Sequence, residues 1–368
     1  MDLHLGRIAK VQEKMRSASY DALLLGPTPN MFYFTGLQTS PDERLQLLII
    51  PAQGSSVAVL PEMYLDKARS VLENNFKIES WSDEMDPFNL AGSQVSSIKA
   101  KRLAVDNTIR ADHLIGLMKV LPEAQFDIAG PLTEALRAYK DAEEIRLMHE
   151  AGKMADQVMA VIQGKIKPGL RETELVAMIE AEYKKVADDI SFKPIVASGP
   201  NAAQPHHSPG DRRLQEGEFV IVDCGALYKG YCSDITRTFC LGKATDEMKE
   251  VYRVVQESNA AAFRALEVNS SLSGAETDAA ARQVINDAGY GPHFIHRLGH
   301  GIGLEVHEAP YLVAGNDQPL HRGTAFTIEP GIYLSGQFGV RIEDVAVITE
   351  EGPRLLTAFS RDLVELKI

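Results

Sequence analysis

Four carboxylates sit in this chain where strands are otherwise built to be buried. In VIVDCGALYKGYCSDITRTF (residues 220–239), Asp223 and Asp234 interrupt two apolar, β-branched runs that flank a short polar turn. Such runs read as the two strands of a hairpin. A turn centred on Tyr228-Lys229 sets Asp223 directly opposite Asp234. In FTIEPGIYLSGQFGVRIEDVAVI, a turn centred on Gly336 does the same for Glu329 and Glu343. Directly opposed side chains have Cβ atoms roughly 4.5–5.5 Å apart, and like charges at that distance destabilise a sheet. Burial deepens the cost unless a proton is shared or a cation lies between the two groups. Two such pairs in one chain favour the cation, and carboxylate oxygens suit Mn²⁺, Mg²⁺, Zn²⁺ or Co²⁺.

Imidazoles gather in the same part of the chain. HFIHRLGHGIGLEVHEAP holds His293, His296, His300 and His307, with glycines at 299, 301 and 303 that allow close backbone approach around His300. A neutral imidazole is a common ligand where carboxylates already collect. His206 and His207 lie in NAAQPHHSPGDRRL, a loop by composition that leads into the first acidic strand and is placed to overhang it. Cys232 shares a face with Asp234, but hard oxygen ligands argue for a hard metal. All three cysteines (Cys224, Cys232 and Cys240) read as small buried residues.

The elements that must position these groups fall into two sets. The first third alternates short apolar runs (DALLLG, RLQLLIIPAQG, SSVAVLP and KRLAVD) with helix-like stretches at 2–19, 62–74 and 111–120, a small α/β domain. From Gly130-Pro131 one long helical stretch runs to Pro168-Gly169, carried by Ile145, Met148, Ala151, Ala155, Val158 and Ile162. Leu175, Ile179, Tyr183 and Val186 mark another helix, and Val251, Val254, Val255, Ala262, Phe263 and Leu266 a third. Strand hairpins lie between and after them. We expect a domain over 1–130 and an α+β domain over 131–368, an antiparallel sheet covered by helices.

Composition narrows the partners. With 51 acidic against 38 basic residues and a net charge of -13, nucleic acid and anionic membrane are disfavoured. No apolar run reaches membrane-spanning length, and MDLHLGRIAKVQEKMRSASY has no apolar core of a signal peptide. Three clustered cysteines do not form a disulfide framework. A reducing, cytoplasmic setting is the expectation.

PHH, VIVDCGALYKGYCSDITRTF, GHGIGLEVHE, FTIEPGIY and VRIEDVAVIT together resemble the pita-bread metallopeptidases, which include methionine aminopeptidase, aminopeptidase P and prolidase. The likeness covers roughly residues 130–368. The amino-terminal part, with PNMFYFTGL, resembles the creatinase/prolidase N-terminal domain that plain methionine aminopeptidases lack. The resemblance implies a pita-bread catalytic domain and a metal set of Asp223, Asp234, His300, Glu329 and Glu343. By the family pattern, Asp223 holds one metal, Asp234 and Glu343 bridge, and His300 with Glu329 completes the second. Two divalent ions per chain are implied, Mn favoured, with Co, Zn or Fe as alternatives. Glu329 would be the general base. His206 rather than His207, together with His307, would contact substrate and intermediate. His296 and Arg341 would be substrate-binding or supporting residues.

The implied activity is hydrolysis of Xaa-Pro bonds in dipeptides or short peptides, with the Xaa-Pro dipeptidase (prolidase) favoured and aminopeptidase P the alternative. A homodimer is usual in the family. Two remoter readings are a creatinase-like metal-free hydrolase and a non-catalytic binding protein on the same fold. The five intact ligand positions count against both.

Overall fold

The structure, a computed structural model, describes residues 3–72 and 75–368. The chain divides between Arg137 and Ala138 into two compact units.

The first unit is built on a six-stranded mixed sheet in the order Lys77–Trp81, Val57–Pro61, Leu47–Pro51, Ala22–Leu25, Arg102–Val105, Gln125–Ile128. Its central strands carry no polar alternation because both faces are covered; Ala22–Leu25 is buried at all four positions. Helices Leu3–Ser17, Leu65–Leu72 and Ala111–Val120 form where expected, and the ends of the expected stretches at 2 and 73–74 lie outside the described residues. Four elements were not expected. Strands Lys77–Trp81 and Gln125–Ile128 are the two sheet edges, and their half-exposed polar residues mask the apolar signal. Helices Pro29–Thr35 and Pro87–Ser97 open with proline in the first turn; Asp86 caps the second by accepting from the backbone N–H of Phe88 and Asn89.

The single long helix expected after Gly130 is two, Gly130–Arg137 and Ala142–Gln163. The break is chemical. Asp141 accepts from the N–H groups of Glu143 and Glu144, and Glu144 reaches back to the N–H of Asp141. This capping box starts a new helix instead of continuing the old one.

The second unit has a four-stranded sheet (Val364–Leu366, Ile235–Leu241, Phe219–Cys224, Ile195–Ser198) and a five-stranded one (Glu308–Leu312, Gly299–Gly301, Ala325–Ile328, Asp344–Thr349, Gly352–Leu355). A bridge between Thr236 and Glu343 links them. Among the described residues its pairings are antiparallel except where Val364–Leu366 runs alongside Ile235–Leu241. Helices Ala142–Gln163 and Glu172–Val186 share a core with Val220, Val222 and Cys224. Phe219 belongs instead to the core of helix Asp246–Val268. The two-residue alternation of a strand therefore turns Phe219, Ile221 and Asp223 away from the first helix pair.

The two acidic hairpins differ in how far their register follows expectation. Around Gly336, Gly331 pairs with Arg341, Leu334 with Phe338 and Ile328 with Asp344. That is the expected register, with Glu329 and Glu343 between the two ladders. In the first hairpin the turn falls one residue later than expected, on Lys229-Gly230. Both have positive φ, 48° and 86°, the pairing that tight hairpins favour. Asp223 consequently lies opposite Thr236, not Asp234. A two-residue shift of partner preserves the face, so both aspartates still look the same way.

Candidate active site

All nine candidate residues line one cavity of about 550 Å³ in the second unit: Asp223, Asp234, His300, Glu329, Glu343, His206, His307, His296 and Arg341. Phe192, Ile195 and Val306 give it apolar wall, which sequence reasoning did not single out.

Side chains of the same and neighbouring strands hold three of the acids in place. Thr236 donates from Oγ1 to Glu343 Oε2 at 2.6 Å, and Thr327 bridges the backbone N–H of His300 and Glu329 Oε1 at 3.0 and 3.3 Å. Arg341 Nη2 donates to Asp223 Oδ2 at 2.7 Å. Its other contacts are Pro205 O, the Tyr333 hydroxyl and Thr236 Oγ1. Four of the five N–H donors of an arginine are thus directed at protein oxygens. Arg237, 1% exposed, spends all five. It donates to Thr236 O and Glu343 O, to Asp344 Oδ1, and to the backbone oxygens of Phe359 and Ser360, at 2.6–2.8 Å. It clamps the backbone of Glu343 to a segment near residue 360.

Three observations bear on whether a cation fits. Among the described residues, Asp223 Oδ1 and Asp234 Oδ1 are buried without a hydrogen-bond partner, each a cost of about 1–3 kcal/mol if nothing satisfies it. Ligand atoms of Asp234, His300 and Glu343 all lie within 4.8 Å of one another. Finally, His300 Nδ1 is 3.1 Å from Gly301 O, which fixes the proton there and leaves the Nε2 lone pair facing Glu329 Oε1 at 3.3 Å and Asp234 Oδ2 at 3.9 Å. An acceptor facing acceptors needs a cation or a proton between them. A proton is disfavoured on the imidazole, because burial pushes its pKa down to about 3. The donor set, four carboxylates and one neutral imidazole, fits divalent metal.

Burial also governs the acids. It lifts the Asp234 and Glu343 carboxyls well above their ordinary range, and neighbouring negative charges add to the rise. Glu329 is pushed up to about 7, again chiefly by burial, with the Arg341 charge opposing. His307 packs against His300 with ring centroids 4.2 Å apart, and burial lowers its pKa. His296 is brought to about 4 by burial; it donates from Nδ1 to Arg297 O and accepts at Nε2 from the Tyr333 hydroxyl.

The two loop histidines separate cleanly. His206 is an exposed cavity residue. His207 instead turns to the fully buried Glu172, with Nε2 to Oε2 2.8 Å. Glu172 also accepts from Ser198, Asn201 and the N–H of Gly210, so it staples the loop that presents Pro205 and His206. Sequence reasoning missed Glu172, Arg237, Thr236, Thr327 and Tyr333. Thr236 and Thr327 could have been found, each standing two residues from an acid on the same strand face. Cys224, Cys232 and Cys240 are buried and form no disulfide among the described residues.

A carboxylate–imidazole cage in the second unit, preceded in the chain by a separate α/β unit, defines the pita-bread class of metal-dependent peptidases. Residues 146–350 match metallopeptidase family M24 and residues 7–139 match the creatinase/prolidase N-terminal domain. The chain belongs to metallopeptidase family M24. It is 37% identical over 358 residues to the probable dipeptidase PepE of Mycobacterium tuberculosis, covering 95% of this chain and 93% of the relative. Among solved structures it is similar to recombinant prolidase from Thermococcus sibiricus, with TM-score 0.94, 37% identity and full coverage of both chains. It is also similar to the Xaa-Pro dipeptidase from Bacillus anthracis, with TM-score 0.91, 32% identity, and 99% of this chain and 100% of that one covered.

Proposed function

We propose that this chain is an Xaa-Pro dipeptidase that works with two divalent metal ions, manganese favoured. The observation that carries the reading is the convergence of the five-donor set with His206, His307 and an apolar wall in one cavity. The names borne by the relatives support the dipeptidase over the aminopeptidase. Asp223, Asp234, His300, Glu329 and Glu343 would hold the metals, with Asp234 and Glu343 shared between them. Divalent cations held there supply Lewis acidity toward water and toward a peptide carbonyl.

The protein's own groups do the rest. Glu329 can take a proton from water and return it to the departing proline nitrogen. His307, uncharged at neutral pH, and His206 stand on the cavity wall as hydrogen-bonding partners for the peptide. Arg341 holds Asp223 in place, and Tyr333 joins Arg341 to His296. Phe192, Ile195 and Val306 offer apolar surface to a pyrrolidine ring. A homodimer and a cytoplasmic setting complete the proposal; the first rests on the family resemblance and the second on three cysteines too few and too clustered for a disulfide framework.

The test is kcat/KM on Leu-Pro, on Leu-Pro extended by two residues, and on Leu-Ala, with bound metal counted in the same Mn²⁺-loaded sample. We expect turnover of Leu-Pro, weak turnover of the extended peptide, little on Leu-Ala, and about two metals per chain. Preference for the extended peptide makes the protein an aminopeptidase P. Equal rates on Leu-Ala and Leu-Pro defeat proline specificity.

A further inference from the structure

A dipeptidase must meet the carboxylate of the second residue inside the cavity where the bond is cut. An extended residue spans only about 3.3–3.6 Å, so that carboxylate cannot lie far from the reacting carbonyl. A carboxylate taken out of water needs a paired charge or strong donors. Two arginines line the cavity, Arg297 and Arg341. The Arg341 fork is committed to Asp223, Tyr333, Pro205 and Thr236. Both ring nitrogens of His296 are occupied by Arg297 O and the Tyr333 hydroxyl.

Arg297 differs. It is half-buried, and its side chain makes no hydrogen bond or ion pair among the described residues. Its guanidinium carbon sits 4.2 Å over the ring centroid of Tyr311. Stacking of this kind fixes the plane of the fork while leaving its edge donors open, the arrangement suited to bidentate capture of a carboxylate. It lines the same cavity as Glu329, His300 and His307. We infer that Arg297, held flat on Tyr311, is the residue that receives the prolyl carboxylate and limits substrates to dipeptides. The inference rests on the dipeptidase reading above and adds the residue that enforces it.

The experiment compares wild type, Arg297→Lys and Arg297→Met, each with its metal content and Tm measured, on Leu-Pro and on Leu-Pro amide, which lacks the carboxylate. Wild type should prefer the free acid strongly. Arg297→Met should lower kcat/KM on Leu-Pro by about 10²–10³-fold, the scale for removing one partner of a buried charge pair. The loss should come mainly through KM, and activity on the amide should stay within about threefold. Arg297→Lys should recover part of the loss. A second source of carboxylate, an acidic side chain before proline, is tested with Asp-Pro and Asn-Pro. Loss confined to Asp-Pro overturns the assignment, as does equal loss on acid and amide. Should Arg297→Met fail to fold, wild type alone remains decisive: equal rates on Leu-Pro and its amide overturn the inference while the Xaa-Pro reading survives. Wild type inactive on every Xaa-Pro substrate removes both.

Discussion

In the proposed mechanism Glu329 combines two demands that pull against each other. As a ligand it must be ionised; as a general base it must have appreciable affinity for a proton at working pH. In the metal-free site burial carries its carboxyl to about 7, with the charge of Arg341 opposing; coordinated cations would draw that affinity down. Glu329→Gln keeps an oxygen that can coordinate but cannot accept the proton. We expect kcat to fall by about 10²–10⁴-fold, with bound metal measured on the same preparation. Near-native turnover at full metal occupancy would move the base elsewhere. Thr327 joins this residue to the backbone of His300, so one hydroxyl positions both.

At the scale of elements, the loop over 198–210 shows how adjacent identical residues take different work. His206 faces the cavity and His207 faces Glu172. His206→Ala should lower kcat/KM with Tm nearly unchanged. His207→Ala leaves buried Glu172 short of a donor, a loss of about 1–3 kcal/mol, and should show first as a lower Tm. The opposite ranking, read by differential scanning calorimetry beside steady-state kinetics, would overturn these roles. The second acidic hairpin was legible in sequence because Gly336 marks its turn and the flanks alternate without a competitor. The first was not, because Tyr228-Lys229 and Lys229-Gly230 are both plausible turns, and only the pair of left-handed residues decides. The edge strands of the first unit were hidden by their exposure. The supporting side chains were illegible for another reason. Arg341 meets Asp223 across 118 positions and Arg237 meets Asp344 across 107, separations no local pattern encodes.

For the molecule as a whole, the site is a store of electrostatic cost that metal relieves. Asp234 has a folded-state pKa above its unfolded one, so its stabilising share is complete at acid pH and is lost as pH rises through the raised value. In metal-free protein, Asp234→Asn should therefore have a higher Tm than wild type at pH 8. The gap should close toward pH 4, where the native carboxyl is protonated. Each kcal/mol of relieved repulsion corresponds to about 2–4 °C, and divalent metal should raise the Tm of wild type more than that of the variant. A gap independent of pH would rule out this origin. Arg237 adds a consequence in time. Translation delivers Asp223 and Asp234 first, then Glu343, and only afterwards Phe359 and Ser360, whose carbonyl groups complete the Arg237 clamp. A growing polypeptide on the ribosome thus carries every acid of the site before the clamp that ties Glu343 to Phe359 and Ser360 can close.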